Sequence, residues 1–361
     1  EWASDKEGFA SFYMEGKEHH PANPMPKKNV PKRKKLSVDD YVDGVLSGNR
    51  TILAQTITLI ESNSQKYAEI AQEVLKKLMP HTGNSIRIGF TGVPGAGKST
   101  LIEAFGTMLC ERGHKVAVLA VDPSSTISKG SILGDKTRME KLSRHKNAFI
   151  RPSPSAGTLG GVTKKSRETM LVCEAAGYDV IIVETVGVGQ NEVTVRSMVD
   201  FFLVVMLTGA GDELQGMKKG VMEIADAIFI NKADGENKKK CELAAIEYNR
   251  LLHFLQPATP GWQTKAYTVS ALTGEGVENI WDVIQEYKEK TIASGIFHER
   301  RKTQMFDWVQ SMIEEQLKRR FYENENVKAA FPKVKEDLMN GKTSPSLAVE
   351  HLLKIYDESN K

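Results

Sequence analysis

The sequence of 361 residues has few cysteines and no long apolar run, and each shortage excludes a class of protein. Its three cysteines, Cys110, Cys173 and Cys241, form no C-x-x-C pair, so neither a disulfide framework nor a cysteine-based zinc cluster is indicated. This cysteine usage is typical of a reducing compartment. No run reaches the roughly 18 apolar residues that a spanning helix needs, so we expect no membrane span.

Positive and negative residues nearly balance in this sequence, and a clear excess of one sign occurs in a single segment. The net charge is only +3, but residues 27–35, KKNVPKRKK, contain six basic residues and no acidic one. Such a run can be a nucleic-acid patch or a localisation signal. Because prolines surround it and no aromatic residue interrupts it, a solvated tail is the favoured interpretation, and no nucleic-acid partner is expected. Residues 1–36 are predicted to be disordered, and they contain no Arg-rich, acid-poor targeting helix.

From residue 85 to about 290, short apolar segments alternate with segments of helical spacing. This pattern predicts an α/β fold with a doubly wound, largely parallel sheet that is covered by helices on both faces. In such sheets, ligands bind at the carboxyl ends of the strands. The predicted strands are Ile86–Phe90, Val116–Val121, Ala148–Arg151, Val180–Glu184, Phe201–Leu207, Ala227–Ile230 and Ala266–Val269.

Helical patterns flank this region on both sides. Residues 37–80 begin with Ser37 and Asp40 at capping-box spacing and end at Pro80. After residue 291, an apolar stripe is wider than a core-facing helix needs, which favours a dimer contact over simple packing on the main domain. The stripe consists of Met305, Phe306, Trp308, Val309, Met312, Ile313, Leu317 and Phe321. The predicted division is a tail 1–36, an N-terminal helical extension 37–80, a main domain 81–290 and a helical dimerisation extension 291–361.

The segment from Gly92 to Ser99 reads G-x-x-x-x-G-K-S, the pattern of a phosphate-binding loop. It follows a predicted strand and opens a predicted helix, which is the context that a P-loop NTPase requires. Its glycines let backbone N–H groups approach phosphate, and the helix N-terminus favours anions. Lys98 is expected to reach the β- and γ-phosphates, and Ser99 to ligate Mg²⁺. The predicted nucleotide-binding residues here are Gly92, Val93, Pro94, Gly95, Ala96, Gly97, Lys98, Ser99 and Thr100.

A second motif, N-K-x-D at residues 231–234, predicts which base is bound. The carboxylate of Asp234 can accept hydrogen bonds from N1–H and the 2-amino group of guanine. Adenine has no 2-amino group and would leave that carboxylate unpaired, so it should be rejected strongly. The stem of Lys232 can lie along the base. At the end of the last predicted strand, a backbone N–H of Ser270, Ala271 and Leu272 can meet guanine O6. With Asn231, these residues predict a GTP/GDP site.

Two further strand ends carry candidate catalytic residues. Glu184 stands where many P-loop GTPases have Asp, and we expect it to reach Mg²⁺ through water rather than directly. The N–H of Gly187 is placed to sense the γ-phosphate, whereas Gln190 has the wrong offset for the usual water-positioning glutamine. Asp122 is either a Mg²⁺ ligand or a cap of the following turn.

The chain resembles the metallochaperone-like P-loop GTPases, in the branch that chaperones adenosylcobalamin-dependent methylmalonyl-CoA mutase. The resemblance rests on GVPGAGKST, VDPSS, ETVGVGQ, TGAGDELQGMKKG and NKAD and covers residues 85–272. It implies weak GTP hydrolysis that the mutase accelerates, and a role in gating cofactor delivery and in protecting or reactivating the mutase. It also implies a homodimer joined through C-terminal helices and a mitochondrial matrix location.

The segment from Gly209 to Gly220 contains four glycines and four charged residues after a predicted strand. A glycine-rich charged loop near a γ-phosphate is a candidate switch, and an ordinary surface loop is the alternative. The resemblance implies a third switch loop that couples nucleotide state to the mutase. Lys218 is therefore counted with Lys98, Asp122, Glu184 and Gly187 as a candidate catalytic residue.

Three other functions are compatible with parts of the sequence. A metal-insertion GTPase should contain Cys/His clusters, but only His19 and His20 are adjacent. A kinase or transport ATPase is disfavoured by the guanine-reading motif. A nucleotide-gated scaffold with incidental hydrolysis stays open on sequence grounds, because only turnover with and without the mutase would separate it from a chaperone.

Overall fold

The strands of the sheet come from short, continuously apolar segments that are buried on both sides. The structure, a computed structural model, describes residues 36–62, 64–121, 139–152, 159–185, 192–208 and 220–359. Within these ranges seven strands form one parallel sheet of order β3-β2-β4-β1-β5-β6-β7. They are β1 Ile86–Gly92, β2 Val116–Val121, β3 Ala148–Arg151, β4 Val180–Thr185, β5 Phe201–Met206, β6 Ala227–Ile230 and β7 Lys265–Thr268. The predicted fold class is confirmed, and the predicted strand bounds differ by one or two residues.

Helices connect the strands and extend beyond both ends of the sheet. Before β1 come α1 Val38–Leu46, α2 Arg50–Glu61 and α3 Gln65–Leu78. Between the strands lie α4 Lys98–Glu111, α5 Glu140–Arg144, α6 Leu159–Ala175, α7 Glu192–Arg196 and α8 Lys238–Leu252. After β7 follow α9 Val277–Ala293, α10 Ile296–Glu323, α11 Glu325–Met339 and α12 Pro345–Ser359. None of these helices, in the ranges given above, has both the length and the apolarity to cross a membrane. The predicted division of the chain at 80 and 290 stays a prediction.

Two apolar layers cover the two faces of the sheet, because successive side chains of a strand point in opposite directions. In β5, Phe201 and Leu203 pack into the layer formed with α4 and α9. Their neighbours Phe202 and Val204 pack into the opposite layer, which contains residues of α2, α3 and α6. Both layers leave the carboxyl edge of the strands open for polar residues.

The first N-terminal helix begins at the capping box that the sequence predicts. The Ser37 hydroxyl accepts a hydrogen bond from the Asp40 N–H at 3.1 Å, and the Asp40 carboxylate accepts one from the Ser37 N–H at 2.8 Å. This capping box satisfies two otherwise unpaired donors at the start of α1. Gly48 follows α1 with φ +72°, which suits glycine.

One ion pair and one side-chain hydrogen bond fasten the first turns of α10 to the segment before β5. Two nitrogens of the Arg301 guanidinium donate to the Asp200 carboxylate, Nε at 2.7 Å and Nη2 at 2.6 Å. Asp200 is 1% exposed and precedes β5. Gln304 donates to the backbone carbonyl of Val199 at 2.8 Å. The base of α10 therefore rests on the segment that joins α7 to β5.

Candidate nucleotide-binding site

The phosphate-binding loop joins β1 directly to α4. Its first glycine, Gly92, has φ +151°, and a Cβ there would lie 2.1 Å from the carbonyl oxygen of Val205 in the adjacent strand. Gly97 caps α4 with φ +81°, and a Cβ there would meet the Asn231 amide nitrogen at 2.7 Å. These two positions require glycine for conformation and for space. Val93, Pro94, Gly95 and Ala96 form the turn between them, and Lys98, Ser99 and Thr100 form the first turn of α4.

Lys98 is folded back onto its own loop. Its Nζ donates to the carbonyl oxygens of Gly92 at 2.7 Å and Val93 at 3.3 Å. Burial lowers the pKa of the Lys98 ammonium, and the carboxylates of Glu184 and Glu192 oppose that lowering. Two backbone carbonyls thus hold the ammonium at the place where phosphate oxygens are expected.

Glu184 and Ser99 meet across the loop. The Ser99 hydroxyl donates to Oε1 of Glu184 at 2.9 Å. Glu184 is 8% exposed and is the last residue but one of β4, where it pairs with Phe90 of β1 in the sheet. A hydroxyl and a carboxylate are hard oxygen donors of the kind that Mg²⁺ prefers. The structure therefore brings together two of the residues predicted for the metal side of the site.

The N-K-x-D motif follows β6 and lies against the phosphate-binding loop. Asn231 donates from Nδ2 to the carbonyl of Ala96 at 2.8 Å. Its Oδ1 accepts from the N–H of Ala271 at 3.1 Å. Since Asn231 is 2% exposed, its amide links the phosphate loop, the end of β6 and the end of β7 inside the protein. Contact between the Ala271 amide and guanine O6 stays a prediction, because that amide is bonded to Asn231 here.

Lys232 and Asp234, the other two residues predicted to contact the base, follow Asn231 in the motif. Lys232 has φ +63°, a left-handed conformation that costs free energy for a residue with a Cβ and that is found at functional sites. Asp234 accepts a hydrogen bond of 2.5 Å from the hydroxyl of Ser270, which fixes one carboxylate oxygen. Leu272, the last residue predicted here, is 82% exposed.

Three predicted site residues cannot be placed. Asp122, Gly187 and Lys218 lie outside the residues that the structure describes, as does Gln190. Their proposed roles stay predictions.

Sequence reasoning missed two buried residues next to the loop. Thr91, immediately before Gly92, is fully buried and accepts a hydrogen bond of 2.8 Å from the Thr185 hydroxyl. Glu192, the first residue of α7, is 6% exposed and accepts a hydrogen bond from Thr91 at 3.4 Å. No motif includes these residues. The one available signal was a carboxylate shortly after the segment 184–190, which by itself resembles an ordinary helix start.

Comparison with known proteins decides the family. The model of a family described as "Methylmalonyl Co-A mutase-associated GTPase MeaB" matches residues 53–326, most of the chain. The chain belongs to the MeaB family. The family resemblance predicted from the motifs and the assignment as a GTPase are confirmed.

Relatives of this MeaB-family GTPase occur in bacteria and animals. It is 49% identical over 321 residues to a "Putative GTPase" of Caulobacter vibrioides, covering 89% of this chain and 98% of the relative. It is 46% identical over 305 residues to "GTPase ArgK" of Escherichia coli, covering 84% and 92%. It is 42% identical over 329 residues to the "Methylmalonic aciduria type A homolog, mitochondrial" of Mus musculus, covering 88% and 79%.

A solved structure has the same fold. The crystal structure titled "LAO/AO transport system kinase" superposes with a TM-score of 0.72 at 38% sequence identity. The superposition covers 89% of this chain and 97% of that one. The helical extensions are therefore included in the likeness along with the sheet.

Proposed function

We propose that this chain is a GTP-hydrolysing chaperone that gates adenosylcobalamin loading of methylmalonyl-CoA mutase and that protects or reactivates this enzyme. Membership of a mutase-associated GTPase family supports the choice of partner. The observation that supports GTP binding is the side-chain amide of Asn231. It forms hydrogen bonds with Ala96 in the phosphate-binding loop and with Ala271 after β7. A nucleotide spanning both loops would bind a preformed frame.

The residues around this frame have separate tasks in the proposal. Lys98 exchanges the carbonyls of Gly92 and Val93 for phosphate oxygens and neutralises charge as it develops on the β- and γ-phosphates. Asp234, held by Ser270, accepts the two guanine donors. Slow basal hydrolysis that the mutase accelerates is proposed from the family resemblance.

Mg²⁺ fits the oxygen donors at the loop. Ser99 would ligate it directly, and Glu184, bonded to Ser99, would hold one of its waters. Asp122 is proposed as a further ligand from the sequence alone. When bound, the ion would neutralise charge on the phosphates. Mg²⁺ titration of GTP binding, followed by fluorescence of a labelled nucleotide, tests this assignment.

We also propose a homodimer joined through α10. The face of this helix exposes Met305, Phe306, Val309, Ile313 and Leu317, with exposed fractions between 44% and 75%. Large apolar residues in a row on one helix are unfavourable in water and typical of a helix–helix interface. Light scattering on the protein and on its Ile313→Asp variant tests the proposal: the parent should have twice the mass of the chain, and the variant the mass of one chain.

The mitochondrial matrix is the proposed location. The mouse relative is named mitochondrial, whereas similar relatives are bacterial. Fractionation of the cells from which the protein comes decides between a mitochondrial and a bacterial setting.

The chaperone role is tested by two measurements with purified methylmalonyl-CoA mutase. GTP turnover should rise when the mutase is added, and transfer of adenosylcobalamin into the mutase should depend on GTP. Turnover that ignores the mutase, together with cofactor loading that ignores GTP, would favour a scaffold with incidental hydrolysis.

A further inference from the structure

Glu192 is a buried carboxylate at the base of the phosphate-binding loop. Its Oε1 accepts a long hydrogen bond, 3.4 Å, from the hydroxyl of Thr91. Its Oε2 is buried and has no hydrogen-bond partner among the residues that the structure describes. A buried carboxylate oxygen without a donor costs free energy, so its presence needs a reason other than packing.

The position of this carboxylate is fixed by side chains of two neighbouring strands and by the packing of its own helix. Thr185, the last residue of β4, donates to the Thr91 hydroxyl at 2.8 Å, and Thr91 donates onward to Glu192. One turn further along α7, Val195 packs over Gly89 of β1, where an added Cβ would lie 3.1 Å from its Cγ1. Glu192 therefore cannot move away from the loop as an exposed side chain could.

The charge of Glu192 acts on the loop lysine. Besides the dominant effect of burial, Glu184 and Glu192 are the two carboxylates that act on Lys98. Glu184 already accepts the hydroxyl of Ser99 at 2.9 Å. Oε2 of Glu192 has no donor among the described residues, so a larger part of the negative charge of Glu192 remains to compensate the ammonium and to repel phosphate.

We propose that Glu192 sets the nucleotide affinity of the loop: its fixed negative charge weakens the binding of GTP and GDP and so speeds the release of GDP after hydrolysis. Phosphates and Glu192 carry like charges in a region from which water is largely excluded, so they repel each other more than at the surface. When Lys98 turns towards the phosphates, it also stops compensating Glu192. Glu192 thus acts by its charge, directly on the phosphates and by its attraction for the Lys98 ammonium. The proposal rests on the assignment of GTP to this loop.

The test is the affinity of Glu192→Gln for labelled GTP and GDP, with the dissociation rate of GDP. Glutamine keeps the shape and the acceptor for Thr91 but removes the charge. We expect both nucleotides to bind about tenfold more tightly, the effect of one charge roughly 10 Å away at an effective dielectric constant of about 20. GDP should dissociate more slowly by a similar factor. A purely structural residue would give the opposite sign, because loss of a support loosens the site.

Three further arms complete the experiment. Glu192→Asp keeps the charge and should bind like the parent, and Glu192→Ala removes it by another route and should also bind more tightly, even if the glutamine variant does not fold. The control Glu278→Gln removes an exposed charge at a surface ion pair and should change nothing. The proposal is overturned if Glu192→Gln binds as the parent does or more weakly, or if Glu278→Gln tightens binding equally. Failure of the parent to bind GTP would instead overturn the assignment of the site.

Discussion

The hydroxyl of Ser99 and the carboxylate of Glu184 are joined by a hydrogen bond of 2.9 Å, which connects the first turn of α4 to the end of β4. In Glu184→Gln the acceptor for Ser99 can be kept while the charge is lost. We expect the fold to survive and hydrolysis to fall at least 100-fold, about 2.7 kcal/mol of transition-state stabilisation, because the metal side of the site loses its buried carboxylate. Turnover at rising Mg²⁺ measures the effect. A variant with the parent's rate at all Mg²⁺ concentrations would remove Glu184 from the metal side.

Lys98→Ala should abolish measurable GTP hydrolysis and leave the protein folded. The ammonium neutralises phosphate charge chiefly in the transition state, and its present partners are two backbone carbonyls that water can satisfy. Phosphate release and circular dichroism measure the two effects. Lys77→Ala, which removes an exposed lysine paired with Asp39, is the control and should hydrolyse GTP normally. Normal turnover in a folded Lys98→Ala protein would contradict the assignment of the loop.

Asp234→Asn should exchange guanine for xanthine. Xanthine has a carbonyl where guanine has its amino group, so an amide donor at this position favours it. Competition binding with GTP, ATP and XTP measures the preference. Ser270→Ala is a milder variant of the same site, because it keeps the Asp234 carboxylate and removes only its 2.5 Å hydrogen bond. It should weaken GTP binding about three- to tenfold without changing the preferred base. An unchanged preference for GTP in Asp234→Asn would place base recognition elsewhere.

The loop from Gly209 to Gly220 lies almost entirely outside the described residues, and its role rests on the sequence. If a partner reads it, Asp212→Ala and Lys218→Ala should leave basal hydrolysis within a few-fold of the parent. Stimulation by methylmalonyl-CoA mutase should fall tenfold or more, about 1.4 kcal/mol. Equal losses of the basal and stimulated rates would make both residues ordinary catalytic parts. Full stimulation in both variants would mean that the signal passes through another segment.

Removal of either of two buried charged side chains near α10, Arg167 and Asp226, should affect the free energy of unfolding differently. Burial lowers the pKa of Arg167 to about 10, and no carboxylate lies within salt-bridge distance in the part of the chain described here. Within the described ranges, neither the Nε of Arg167 nor the nearby indole N–H of Trp308 has a hydrogen-bond partner. Asp226, by contrast, accepts hydrogen bonds from Nη1 and Nη2 of Arg196, at 2.7 and 3.1 Å.

Arg167→Met should therefore leave the free energy of unfolding nearly unchanged, because the hydrogen bonds it loses to Ser197 are offset by removal of an unpaired buried charge. Asp226→Ala should lower it by about 3–5 kcal/mol, because Arg196 stays buried without its partner. Urea unfolding measures both. A large loss of stability in Arg167→Met would contradict this reading.

The sheet could be predicted closely because its strands are continuous apolar runs, and the phosphate and guanine motifs could be located because their residue types have few other uses. The frame that joins them could not. The bond from Asn231 to Ala96 spans 135 positions in the chain, and no local pattern encodes such a contact. Glu192 and Arg167 were missed for a related reason. A charged residue on a helix is usually exposed, and only packing against distant elements shows that these two are buried.

The anchoring of α10 at Asp200 has a mechanical consequence. The helix has 28 residues, and Arg301 grips the protein near its first turn. From Arg301 to Glu323 the helix extends roughly 33 Å at about 1.5 Å per residue. A tilt of only about 10° at the grip would displace the far end by about 6 Å, by the same geometry. Since Val199 and Asp200 lie between α7 and β5, a shift of α7 that tilted the helix at this point would be magnified at the far end of α10.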